Sequence, residues 1–170
     1  MIKKLVLVAV VAITACLGAQ AQKFGYVNSQ EIFNVMPEKA TAETTLKAKS
    51  DKYEAEFKNL QEAFQKKMDE YEKQAADAST PQAIKDRHAQ ELQDEYQKIQ
   101  NFQQTASEDI QNEQQKLIAP ITEKIRNAIQ AVGAEGGYTF IYDLSIPSIV
   151  YTGAGADDLS SKVKAKLGVK

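Results

Sequence analysis

The chain has 170 residues, 26% of them charged, with a formal net charge of −2 and a single cysteine. That length allows one or two small domains. The absence of a basic excess removes net charge as a driving force for binding nucleic acid or an anionic membrane, and one cysteine excludes a disulfide framework.

The first residues read as an export signal. Lys3 and Lys4 form a positive start and residues 5–13 a short apolar run, well under a membrane span. Ala19-Gln20-Ala21 has the small-residue pattern of a cleavage site, so residues 1–21 are expected to be removed, leaving a chain that starts at Gln22 and carries a net charge of −4. A second reading uses Ile13-Thr14-Ala15-Cys16, which has the form of a bacterial lipobox and would make Cys16 a lipidated first residue. Both readings take the protein out of a bacterial cytoplasm. No later run is apolar enough to cross a bilayer.

Lys23-Phe24-Gly25-Tyr26-Val27 predicts a short strand. Asn28 or Ser29 then caps a short helix whose apolar face is Ile32, Phe33, Val35 and Met36; Asn28 with Glu31 has capping-box spacing. Pro37 suits the first position of the next helix.

A long helix is predicted from Glu38 to Ala76, with the stripe Leu46, Tyr53, Phe57, Leu60, Phe64, Met68, Tyr71 and Ala75. The steps from Tyr53 onward average near 3.67, closer to an eleven-residue repeat than to a heptad. Asp77-Ala78-Ser79-Thr80-Pro81 breaks the pattern, and Thr80 and Pro81 restart a second helix to about Val132. Its stripe is Ile84, Leu92, Tyr96, Ile99, Ala106, Ile110, Leu117, Ile121, Ile125, Ile129 and Val132, with Pro120 expected to kink it. The short turn makes the helices antiparallel, and at 1.5 Å per residue the hairpin would be on the order of 60 Å long. A thin apolar stripe on a charged background suits neither a globular interior nor a disordered chain.

Gly133 and Gly136-Gly137 are expected to end that helix. Tyr138-Thr139-Phe140-Ile141-Tyr142-Asp143 predicts a strand with Tyr138, Phe140 and Tyr142 on one side, and Ile149-Val150-Tyr151-Thr152 a third strand. Asp157 or Asp158 caps a last helix bearing Leu159, Val163 and Leu167, with lysines crowding its C-terminal half. The fold class is therefore α+β. A coiled-coil arm, residues 38–132, is inserted into a small β-rich body made of residues 22–37 and 133–170. A core that small rarely supplies more than ~3–5 kcal/mol, and three strands leave two open edges, so the body is expected to share its sheet with other copies. Phe24, Tyr26, Val27, Phe140, Tyr142, Ile149 and Tyr151 are the candidate residues for that contact.

Chemistry is sparse. His88, near the turn of the arm, is the only histidine, so no metal site or nucleophile–base pair can be assembled around it. No phosphate-binding glycine motif is present. The expectation is a protein that is not an enzyme and has no cofactor, no metal and no nucleic-acid partner. Its candidate contacts for a partner polypeptide are Phe57, Phe64, Met68, Tyr71, Tyr96 and Phe102, since Met and aromatic side chains bind varied partners. Phe102 falls off the stripe between Ile99 and Ala106 and is expected to face away from the helix seam.

These features together resemble the Skp/OmpH family of periplasmic chaperones. The likeness rests on the export signal, on Lys23-Phe24-Gly25-Tyr26-Val27-Asn28-Ser29 with Ile32-Phe33, and on the long polar hairpin. It continues through Gly137-Tyr138-Thr139-Phe140-Ile141-Tyr142-Asp143 and Asp157-Asp158-Leu159-Ser160. The resemblance implies a periplasmic homotrimer whose bodies form a small β-barrel and whose arms enclose a cavity for unfolded outer-membrane proteins, without ATP. It does not carry over a lipopolysaccharide or membrane-surface site, because Lys66, Lys67, Lys73, Lys85 and Arg87 are balanced by Asp69, Glu70, Glu72, Asp77 and Asp86. The alternative from another class is a coiled-coil spacer or scaffold of the cell envelope, anchored through a lipidated Cys16.

Overall fold

The computed structural model describes residues 22–170. The expected export segment, residues 1–21 with Cys16, lies outside them. The described chain runs β1 (Phe24–Val27), α1 (Ser29–Asn34), α2 (Pro37–Ala76), α3 (Gln82–Gly136), β2 (Phe140–Asp143), β3 (Ala156–Asp158) and α4 (Ser160–Leu167). It divides into two compact units. One, the body, comprises residues 22–35 with Glu123–Lys170; the other, the hairpin, is Met36–Thr122.

In the body, β1 is the central strand of a three-stranded sheet in the order β2-β1-β3, parallel on both sides. Phe24 is level with Phe140 and Tyr26 with Tyr142 on one side, and Phe24 with Ala156 on the other. Strand alternation sends Gly25 and Val27 to one face and Phe24 and Tyr26 to the opposite one. Val27, Ile32, Leu159 and Val163 are fully buried and form the core, with α1 packed on α4. Gly25 makes room for that core: a Cβ would stand 2.5 Å from Leu159 Cδ1 and force the leucine to shift.

The caps explain the element ends. Asn28 Oδ1 accepts the Glu31 amide at 3.1 Å, and Asn28 Nδ2 donates to Glu31 Oε1 at 2.9 Å, so the predicted pairing of these two residues opens α1. Asp143, at the end of β2, accepts from the Ser29 amide (3.0 Å), the Ser29 hydroxyl and the Ser145 amide (3.0 Å). Burial pushes its carboxyl up, but these hydrogen bonds outweigh it and the net shift is downward. At the far end of α3, Gly137 adopts φ 64°, its amide reaches Ala134 O and the Tyr138 amide reaches Gly133 O. This is a Schellman stop. The helix therefore passes through Gly133 and ends one turn later than expected. It also runs through Pro120 without stopping.

Two sequence expectations for the sheet are corrected. The third strand is Ala156–Asp158, not residues 149–152. Both edges of β1 are already taken, by β2 and β3. The Ile149-Val150-Tyr151-Thr152 segment has strand propensity but no free edge of β1 to pair with, and Val150 and Tyr151 remain 96% and 83% exposed. What selects the acidic segment instead is Leu159. Its amide donates to Tyr26 O at 2.9 Å and its side chain is completely buried, which draws the three preceding residues onto β1. Tyr138, expected alongside Phe140 and Tyr142, precedes β2 and turns elsewhere. Its hydroxyl donates to Asp157 Oδ2 at 2.6 Å, and Lys23 Nζ lies 4.1 Å from its ring centre. Asp158 Oδ1 accepts the Ser160 amide at 2.9 Å, at the entrance to α4.

Candidate functional site

Within the hairpin, α2 and the part of α3 up to Thr122 are joined by side-chain bonds whose partners run in opposite chain directions. Lys49 Nζ bonds Asp109 at 2.6 Å and Glu113 at 3.1 Å, Tyr53 Oη donates to Asp109 at 2.6 Å, and Lys67 Nζ bonds Glu95 at 2.8 Å. Nearer the turn, His88 Nδ1 pairs with the Gln74 side-chain oxygen, and Lys85 Nζ donates to Ala75 O at 2.8 Å. The helices are thus antiparallel. Asp109 is held below the usual carboxylate range by its bonds from Lys49 and Tyr53, and Glu95 by its bond from Lys67. Donating to Asp109 and Glu113 raises Lys49, and donating to Glu95 raises Lys67.

The seam is therefore not the purely apolar stripe expected from the sequence. From Lys85 to Glu113 the sheltered positions on α3 are Lys85, His88, Leu92, Glu95, Ile99, Phe102, Ala106, Asp109 and Glu113, which alternate steps of three and four, with Ile110 sheltered beside Asp109. That spacing is a heptad. Ile84 and Tyr96, expected in the stripe, are exposed, and on α2 Gln74 is sheltered in place of Ala75. Apolar periodicity missed the polar members of the seam. They could have been found by extending the alternation in both directions from Leu92, Ile99 and Ala106.

Of the candidate contact residues, Phe57, Phe64, Met68 and Tyr71 are half-buried along α2, and Tyr96 is 53% exposed with its ring 6.2 Å from that of Phe64. Phe102 does not face away from the seam. It is half-buried and stands edge-on to Tyr53, ring centres 5.8 Å apart. The reason is the heptad spacing, which places position 102 between Ile99 and Ala106 on the shared face. Beside this pair lies an open groove of about 330 Å³, floored by Tyr53, Phe57, Phe102 and Ile110 and rimmed by Ser50, Glu54, Gln103, Ser107 and Gln111. A smaller cleft of about 130 Å³ near the turn is lined by Lys67, Glu70, Tyr71, His88 and Glu91 among others.

The body carries a second apolar surface, on the sheet face opposite the core. Phe24 and Phe140 stack with ring centres 6.3 Å apart and planes 7° from parallel, and Phe140 lies 6.2 Å from Tyr142. Phe140 and Tyr142 are 55% and 42% exposed. Tyr26, Tyr142, Ile149 and Tyr151 line a hollow of about 320 Å³ on the same face. Six of the seven candidate contact residues of the body thus share this surface. Val27 does not; it points inward to the core.

Among the described residues no group of three or more His, Cys, Asp or Glu side chains is placed to hold a metal ion, and no helix is long and apolar enough to cross a membrane. His88 sits between Gln74 and Arg87, whose Nη2 is 3.0 Å from Nε2.

A family model described as outer membrane protein (OmpH-like) matches residues 23–167. Among solved structures, the chain is similar to a protein of Caulobacter crescentus CB15 described as an OmpH-like outer membrane chaperone. The TM-score is 0.71 at 16% identity, covering 88% of this chain and 86% of that one, a likeness of fold. Curated protein sequences gave no match.

Proposed function

The chain belongs to the OmpH-like outer membrane protein family, and from that premise we propose that it is an ATP-independent holdase of the periplasm that keeps unfolded outer-membrane proteins from aggregating. The observation that carries the reading is the state of the hairpin aromatics. Phe57, Phe64, Met68 and Tyr71 are half-covered along a seam held by polar cross-links, and Tyr96 stands mostly open beside it. Apolar groups that stay partly accessible on a stiff polar support make many weak contacts with a chain of no fixed shape, and their number supplies the avidity that none has alone.

The body supports the self-association half of the reading. Phe24, Tyr26, Phe140 and Tyr142, with Ile149 and Tyr151 beside them, form a continuous apolar surface of the kind that marks an interface. In the proposed homotrimer this face meets its copies, residues 149–152 find strand edges there, and three hairpins hold one client between them. The protein would reach this compartment through its export segment, residues 1–21.

The test is to dilute a urea-unfolded porin into buffer with and without the purified protein at stoichiometric ratio. Scattering stays near baseline if the reading holds; aggregation at the rate of buffer alone overturns it. Light scattering coupled to size exclusion reads the assembly separately, with three copies expected.

A further inference from the structure

The groove beside Tyr53 and Phe102 differs from the rest of the hairpin in charge. From Ile99 through Ser107, α3 carries no charged residue, the longest such stretch in the hairpin. Of the residues lining the groove only Glu54 is charged, whereas the cleft near the turn is ringed by Lys67, Glu70 and Glu91. We infer that this groove is a docking site for an extended, uncharged segment of unfolded polypeptide bearing an aromatic side chain.

The inference rests on the chaperone reading and adds the site and the chemistry of its occupant. An aromatic side chain entering the groove meets Tyr53, Phe57 and Phe102, which offer ring faces and edges. The backbone on either side of it loses water and needs both donors and acceptors. The Gln103 and Gln111 amides and the Ser107 hydroxyl supply both kinds along one rim. Within the groove lining a charged segment would lose hydration and meet no counter-charge except Glu54, since Asp109 beside Tyr53 is already paired with Lys49, so charge complementarity selects a neutral occupant. Membrane-barrel strands have this composition, alternating apolar and polar residues with aromatic girdles. The volume, about 330 Å³, is at the lower end of the range for small-ligand sites. It suits a side chain with its flanking backbone rather than a folded element.

The experiment titrates the full-length mature protein into a fluorescein-labelled, net-neutral peptide alternating Tyr and Leu with Thr, Asn and Gly, read by anisotropy. The rim variant is Gln103→Glu with Ser107→Glu. The control is Gln100→Glu with Gln104→Glu, on the same uncharged stretch but off the groove. All four positions are exposed, and circular dichroism checks that the helix is retained. The rim variant is expected to bind ~tenfold more weakly or worse, and the control within about twofold of the unmodified protein. Equal binding by both variants overturns the site. So does a rim variant with an altered oligomeric state, which would make the groove a contact between copies. If the unmodified protein does not bind the peptide yet still suppresses porin aggregation, the docking site fails and the holdase reading stands. If it does neither, the holdase reading fails first.

Discussion

The body and the hairpin hold together by different means. In the body, Val27, Ile32, Leu159 and Val163 lose essentially all access to water, and polar groups such as Asn28 and Asp143 serve to stop and start elements around that core. In the hairpin between residues 43 and 120, the best-buried side chains are Leu92, Ile99 and Ala106, and none of them is fully enclosed. Charged and amide groups occupy seam positions that a tight coiled coil gives to leucine. The difference teaches that register and strength have separate sources. Lys49 with Asp109 and Lys67 with Glu95 fix which turn of α2 faces which turn of α3, and such half-exposed pairs, still reached by solvent, add little stability. The hairpin is specified in alignment and weak in cohesion, and its aromatics stay available.

The largest effect is expected from cutting into the body's core. Leu159→Ala removes a completely buried side chain and the residue that draws β3 onto β1, so a loss of about 2–5 kcal/mol is expected in urea denaturation. A loss under about 1 kcal/mol would mean that the body does not depend on this core. Asn28→Ala should cost less, about 1 kcal/mol, through the lost cap of α1; Asn28→Ser, which keeps an acceptor for the Glu31 amide without setting a second carboxylate against Glu31, should recover most of it. Lys49→Met should have the smallest effect on global unfolding. Its signature is a faster amide exchange confined to the hairpin near residues 49 and 109. An effect as large as that of Leu159→Ala would erase the distinction between the two units.

Acid should act on the same contrast. Asp109, Glu95 and Asp143 are all held below their ordinary values. Groups with depressed folded-state values stabilise the fold fully above the unfolded carboxylate range, about pH 4, and that stabilisation is lost as the pH falls through their folded values. The thermal midpoint should therefore be flat near neutrality and decline below about pH 4. Lys49→Met should flatten part of that decline, since Asp109 would no longer be depressed by its strongest partner.

Much of this fold is legible in the sequence, for stated reasons. Glu31 lies three residues after Asn28, Pro37 opens α2, and Asp77 to Pro81 breaks the helical pattern. Each is a local signal, and each marks an element end in the structure within a residue or two. The short strand Ala156–Asp158 left no such signal, because its place is set by the burial of Leu159 and by the free edge of β1, both long-range facts. The seam was only half legible. Apolar residues declare themselves by type, but Glu95, Asp109 and His88 look like solvated surface until their partners on α2 are known. Phe102 was misplaced for the same reason, because the face it occupies is defined by polar neighbours. The aromatic face of the sheet follows from strand alternation, except for Val27, whose opposite parity puts it in the core.

In the proposed holdase the body holds firm while the hairpin takes hold of the unfolded chain. Hydrogen exchange read by mass spectrometry, on the protein alone and with an unfolded outer-membrane protein bound, tests it directly. Slow exchange is expected in β1 and α4 under both conditions and, in the hairpin, faster exchange that slows when the unfolded chain binds, most of all around residues 50–57 and 102–111. Client-induced protection confined to the sheet and α4, with the hairpin unchanged, would contradict it.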